Sequence, residues 1–246
     1  VQSRQALLTS HIDLPSLRQR RNPVAGTPAD AALRPSSDGL ALSFATSLVR
    51  LNAAADAIET MDGGPAPAFD AWIDGSLALV RPSSDEYGTW GRFALLSAGA
   101  DYLVGDGLLV GVSVHVDSLA RPGDDTSLEG TGFLVGPYAS LELASGVFWD
   151  TSLLVGASSN RMESDLWSGD FGTDRWLLQS AVSGTLMLDT TLAFTPRLQL
   201  TYAHEAVLAF DENTSQRPFD EKLCHEFIKG VLARSRRASP PSAGMM

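Results

Sequence analysis

The chain has 246 residues, 44% hydrophobic and 19% charged, with mean hydropathy +0.02, formal net charge −11 and a pI near 4.7. That acidity argues against a nucleic-acid partner, since phosphates need clustered Lys and Arg, and a single cysteine, Cys224, excludes an internal disulfide and a zinc site built on several thiolates. Charge is below the roughly one quarter usual for soluble domains, yet the sequence has no unbroken apolar run of about 18 residues for a membrane-spanning helix.

The opening "VQSRQALLTSHIDLP" lacks the apolar core of a secretory signal, which is expected if the chain begins inside a larger product. Residues 1–37, with "RQRRNPVAGTPADAALRPSSDG", read as a flexible linker. Residues 38–68 follow as a short helix and a Gly/Pro linker. Phe44, Leu48, Leu51, Ala55 and Ile58 recur at helical spacing, and "GGPAPA" breaks the chain after them.

From Phe69 the period changes to two. Seven strands are predicted over residues 69–80, 90–104, 108–119, 129–143, 147–158, 174–188 and 192–205. They run about 11 to 16 residues, where globular strands average about 5 or 6 and tilted membrane strands need about 9 to 11. The connections alternate long and short: "RPSSDEYG", "GDG", "ARPGDDTS", "ASG", "SNRMESDLWSGDFGT" and "DTT". An up-and-down meander with all tight turns at one end gives that alternation, as outer-membrane barrels do.

The two faces of each strand differ chemically. Val110, Val112, Val114 and Val116 oppose Gly111, Ser113, His115 and Asp117, and Leu198, Leu200 and Tyr202 oppose Arg197, Gln199 and Thr201. In "LEGTGFLVGPYASLEL" the glycines fall on one face, so a strand that looks poor in isolation fits a curved wall with its small side inward. Aromatic residues Trp90, Tyr102, Trp176, Phe194 and Tyr202 sit near strand ends, where interfacial girdles belong. The fold class read from these patterns is all-β, an antiparallel up-and-down barrel wall over residues 69–206. Residues 207–246 form an atypical tail of loop, amphipathic helix near 219–235 and basic end "ARSRRASPP". A soluble up-and-down barrel binding a small apolar ligand stays open as the alternative.

The stretches "FDAWIDGSLALV", "GRFALLSAGADYLV", "LLVGVSVHVD", "GTGFLVGPYASLEL", "FWDTSLLVGASSN", "DFGTDRWLLQSAVSG" and "FTPRLQLTYAHE" together resemble the autotransporter β-domain of type V secretion, alphaproteobacterial type, over roughly residues 38–206. "GADY" and the "GTGxxxGPY" stretch are its most specific pieces. The resemblance implies a bacterial outer-membrane location and a barrel of twelve strands. It also implies a helical segment running through the lumen to an exported passenger. The implied partners are outer-membrane lipid, the barrel-assembly machinery and the chain's own passenger segment. The implied role is translocator and anchor, with no enzyme activity and no cofactor. Seven strands against twelve, and an end on Met246 where the family has an aromatic residue, lead to the expectation of a truncated barrel.

No motif signals catalysis. His115 and His204 read as interior or rim polar groups, and "GDGLLVG" and "GTGFLVG" do not make a dinucleotide loop. The residues assigned to the lumen are Asp70, Asp74, Asp101, His115, Asp117, Glu142, Asp150, Arg175, Arg197 and Gln199, with no catalytic, cofactor or metal site among them.

Overall fold

The computed structural model describes residues 8, 29–36, 39–59, 67–80, 90–105, 107–123, 126–164, 167–184, 186–187 and 193–213. Its strands are β1 (Ala29–Ser36), β2 (Gly39–Ser47), β3 (Phe69–Val80), β4 (Gly91–Val104), β5 (Leu108–Arg121), β6 (Thr126–Ala144), β7 (Val147–Ser164), β8 (Ser168–Gly184), β9 (Leu186–Met187), β10 (Ala193–Phe194) and β11 (Arg197–Asn213). Helix α1 spans Leu48–Glu59. Nine strands pair antiparallel in the order β1-β2-β3-β4-β5-β6-β7-β8-β11, an up-and-down meander, and β9 pairs with β10 apart from it. Among the described residues β1 and β11 are the sheet's two edges.

The seven expected strands are present, and two more precede them. Ala29–Ser36, read as linker, is an edge strand. Its Pro35, which has no N–H for a ladder, is tolerable at an edge. The expected helix is shorter than its apolar spacing suggested, because Phe44 lies in β2 and helix begins at Leu48. "GLALSFATS" satisfies both periods. Pairing with β3 over Gly39–Ser47 decides for the strand, since a sheet edge offers each backbone group a partner. Ser47 then caps α1: its Oγ accepts the Arg50 N–H at 3.3 Å, and Asp70 Oδ1 accepts the Val49 N–H at 3.0 Å.

Two of the three long connections shrink. β5 and β6 are joined through 122–125, and β7 and β8 through 165–167, because strands of 14 to 19 residues extend into the segments read as loops. Asn160, Arg161, Met162 and Glu163 continue the ladder to Phe171, Asp170, Gly169 and Ser168. At the opposite end the tight turns hold, with Gly105 at φ 62° and Gly146 at φ 76°, a region that favours glycine. Between Gly184 and Arg197 the ladder breaks at Pro196, whose carbonyl takes the Gly184 N–H at 3.1 Å. The tail joins the sheet as far as Asn213, and the helix expected near 219–235 lies outside the described residues, as does Cys224.

The buried core sits on one side of the sheet, and its geometry shows that the sheet curls. Arg175 Nη2 on β8 donates to Asp117 Oδ1 on β5 at 2.7 Å. Three strand spacings separate them, about 14 Å in a flat sheet at about 4.8 Å each, more than the two side chains span. The buried face is therefore concave.

Candidate functional site: two faces of one wall

Register aligns the outward residues of β3 to β11 in rows. One row runs Ile73, Ala98, Val114, Val135, Val155, Trp176 and His204. Two rows nearer the tight turns, another runs Phe69, Tyr102, Val110, Ala139, Thr151, Ser180 and Leu200. This face is exposed although it is apolar: Val112 is 59%, Val155 52%, Leu200 66% and Leu198 76% exposed. On β4 it runs unbroken by charge from Ala94 to Val104. The ten residue-to-residue steps cover about 33 Å of strand, or about 25 Å along the normal at a tilt near 40°, the height of an outer-membrane apolar band. Trp149, near the start of β7, donates its Nε1–H to Ser180 Oγ at 2.9 Å, whereas Trp176, expected near a strand end, lies in the middle of β8 and stacks on Tyr202 with ring centroids 4.7 Å apart.

The opposite face is buried and mixed. Trp72 Nε1 donates to Tyr138 Oη at 2.8 Å, and the Tyr138 hydroxyl donates to Asp101 Oδ2 at 2.7 Å, linking β3, β6 and β4. His115 is held through Nδ1 by Ser97 Oγ at 2.9 Å and through Nε2 by Ser113 Oγ at 3.0 Å. Ser140 donates to Asp150. Thr173 donates to Glu205 Oε1 at 2.8 Å, and Asn160 Nδ2 donates to Ser158 Oγ at 2.8 Å. Three glycines leave the room these large groups fill. A Cβ on Gly99 would stand 2.5 Å from the Trp72 ring, one on Gly111 2.5 Å from the Tyr138 ring, and one on Gly132 2.3 Å from Arg175 Nη2.

Of the residues assigned to the lumen, Asp70, Asp101, His115, Asp117, Asp150 and Arg175 are buried on this face. Asp74 and Glu142 are half-buried, and Glu142 Oε1 accepts the Gly146 N–H at 3.3 Å. Arg197 and Gln199 share the face's register but are exposed on the edge strand β11. Asp70 and Asp101 are direct ladder partners, each engaged by a donor from elsewhere. His204 corrects its expectation: it lies on the exposed apolar face, its ring centroid 5.8 Å from that of Trp176. Among the described residues no group of three His, Cys, Asp or Glu side chains could hold a metal.

Sequence reading missed a leucine belt on the buried face. Phe93, Leu95, Leu119, Leu134, Leu154 and Leu177 cluster there, and Leu8, helical and 3% exposed, packs among them. Apart from the adjacent Phe93 and Leu95 on β4, each belt residue sits among polar or glycine residues of its own strand face, so most strands give no signal of it. Among the described residues two parts of the chain meet this face: Leu8 within the leucine belt, and the start of α1, where Val49 is 3% exposed and donates its N–H to buried Asp70 while Leu48 and Leu51 stay exposed.

A family model of the autotransporter β-domain matches residues 72–219. No curated protein and no solved structure matches the chain. The matched region begins in β3 and takes in every strand from β4 to β11. That family consists of outer-membrane translocator domains, a transport role rather than a catalytic one, with a passenger segment as its cargo. The sheet, its apolar exposed face and this match lead to one identification: the chain belongs to the autotransporter β-domain family.

Proposed function

We propose that the sheet forms part of the wall of an outer-membrane pore that exports a passenger segment, with the apolar face on lipid and the buried polar face lining the lumen. The observation that carries this reading is the inverted polarity of the sheet. Val112 and Leu200 are exposed, whereas Asp117, Asp150 and Arg175 are 1%, 1% and 4% exposed. A soluble ligand-binding barrel would bury its valines and expose its carboxylates, so that alternative is disfavoured. Open strand edges are not tolerated in hydrocarbon, so the pore requires further strands bridging β1 and β11. Assembly in the membrane would depend on the barrel-assembly machinery, as the family implies. Residues 69–206 then serve as wall, joined by β1 and β2, and Leu8 sits in the lumen against the leucine belt.

Two measurements test this. The full chain in outer membranes should be extractable with detergent only, and unheated samples should migrate on gels as a compact species that heating converts. In planar bilayers Leu8→Asp should raise the conductance above that of the unsubstituted protein. A soluble monomer without detergent sinks the pore reading, and unchanged conductance sinks the lumen role of Leu8.

A further inference from the structure

One ladder pair of the lumen face, Arg175 on β8 and Glu205 on β11, holds three buried polar atoms that have no hydrogen-bond partner among the described residues. Arg175 is 4% exposed and is engaged through Nη2 alone, which donates to Asp117 Oδ1 at 2.7 Å, Phe133 O at 3.1 Å and Ala157 O at 3.4 Å. Its Nε and Nη1 are the spare donors. Glu205 is engaged through Oε1 alone, which accepts from Thr173 Oγ1 at 2.8 Å and Ser158 Oγ at 3.4 Å, and its Oε2 is a spare acceptor. Direct ladder partners have Cβ atoms about 5 Å apart, so the spare donors and the spare acceptor belong to neighbouring side chains. Buried groups left in this state are costly until a partner completes them.

The charges narrow what that partner is. Arg175 meets two carboxylates, Asp117 by contact and Glu205 by register, so the local balance is negative and does not select an anion. A neutral group that offers an acceptor and a donor side by side fits instead. One residue of an extended polypeptide does so, because its C=O and N–H point to the same side, as they do in an antiparallel pair. Arg175 and Leu8 line one small cavity, which makes Leu8 the cover of this site. We propose that Arg175 and Glu205 form a main-chain docking site for a polypeptide in the lumen. Arg175 Nε and Nη1 donate to its carbonyl oxygens, Glu205 Oε2 accepts its N–H, and Leu8 is displaced as it enters. Recognition through the main chain is independent of side chains, which suits a passenger of any sequence. The inference rests on the pore reading above and names the groups through which that lumen holds its cargo.

The test uses the full chain folded in detergent and two labelled probes, a Gly/Ser peptide and the same peptide N-methylated throughout, which keeps every carbonyl and loses every N–H. By fluorescence anisotropy the unsubstituted protein should bind the first about tenfold more tightly, the scale of one N–H bond to a carboxylate. Glu205→Ala should bring that ratio to about one. Arg175→Met combined with Asp117→Leu should weaken both probes and keep the ratio, since both carry carbonyls. Leu8→Ala should strengthen both, and Arg92→Ser on the exposed face should change neither. Equal binding of the two probes by the unsubstituted protein overturns the proposal. So does a ratio that survives Glu205→Ala, undiminished binding in the Arg175→Met, Asp117→Leu protein, or no gain in Leu8→Ala. Tighter binding of an Asp/Ser peptide than of the Gly/Ser peptide also overturns it, by showing an anion site. The heat-convertible compact species reports folding of each variant, and Glu205→Ala decides alone if the double variant lacks it. Loss of that species in the unsubstituted protein fails the pore reading, whereas its presence with equal probe binding fails this inference alone.

Discussion

Along β5, Val110, Val112, Val114 and Val116 face one way, while Leu109, Ser113, His115, Asp117 and Leu119 face the other. The first set is exposed and uniform. The second is buried and combines hydroxyls, a charge and leucines. In a water-soluble sheet this would be an inside-out arrangement, and the difference shows how each face is stabilised. The valine face needs nothing beyond apolarity, because lipid asks only that no polar group meet it. The other face must satisfy every polar atom within a narrow concavity, so its identities are interdependent: Arg175 reaches Asp117 only over Gly132, and Tyr138 reaches Trp72 only over Gly111.

That contrast can be broken most severely at the Arg175–Asp117 pair. Arg175→Met takes the guanidinium away from the buried Asp117 carboxylate and should cost about 3–5 kcal/mol in urea unfolding from bilayers, while adding Asp117→Leu should recover much of the loss. Next, Val112→Arg or Leu200→Arg should cost about 2–4 kcal/mol by the same measurement, against under about 1 kcal/mol for exposed Thr201→Arg on the other face. Equal costs would refute the face assignment. Ser113 is a poor partner for that comparison, because it is 6% exposed and holds His115. Gly132→Ala should cost about 1–3 kcal/mol, since the added methyl collides with Arg175. Trp72→Phe keeps an aromatic ring but loses part of its buried volume and the hydrogen bond to Tyr138, an expected loss of about 1–2 kcal/mol. Smallest is Glu163→Gln at the exposed Arg161 pair, expected below about 0.5 kcal/mol in the same unfolding curves.

How much was legible varies by element. Strands β3 to β8 were readable because alternation extends over many residues, and the turns at Gly105 and Gly146 because glycine marks a left-handed backbone. β1 and β2 were not, since "ADAALRPS" and "GLALSFATS" carry weak periodicity and become strands through pairing. The loop of "SNRMESDLWSGDFGT" looked polar because both strands there extend past the apolar band, and polarity alone does not separate a projecting hairpin from a loop. Pro137 faces outward and pairs with Val112, and the β6–β7 pairing passes over Gly136 and Pro137 without a shift of register, so the missing N–H interrupts that ladder only locally.

The sequence by itself determined which side chains share a face, because a strand's period of two is a local property of the backbone. It also determined the family, through stretches that run in order along the chain. Only the tertiary structure decided what the buried face does with its residues. The salt bridge from β5 to β8, the Trp72–Tyr138–Asp101 chain and the seat of Leu8 bring together residues 37 to 169 positions apart. Those contacts exist because the sheet curls, and curvature is a property of many strands together.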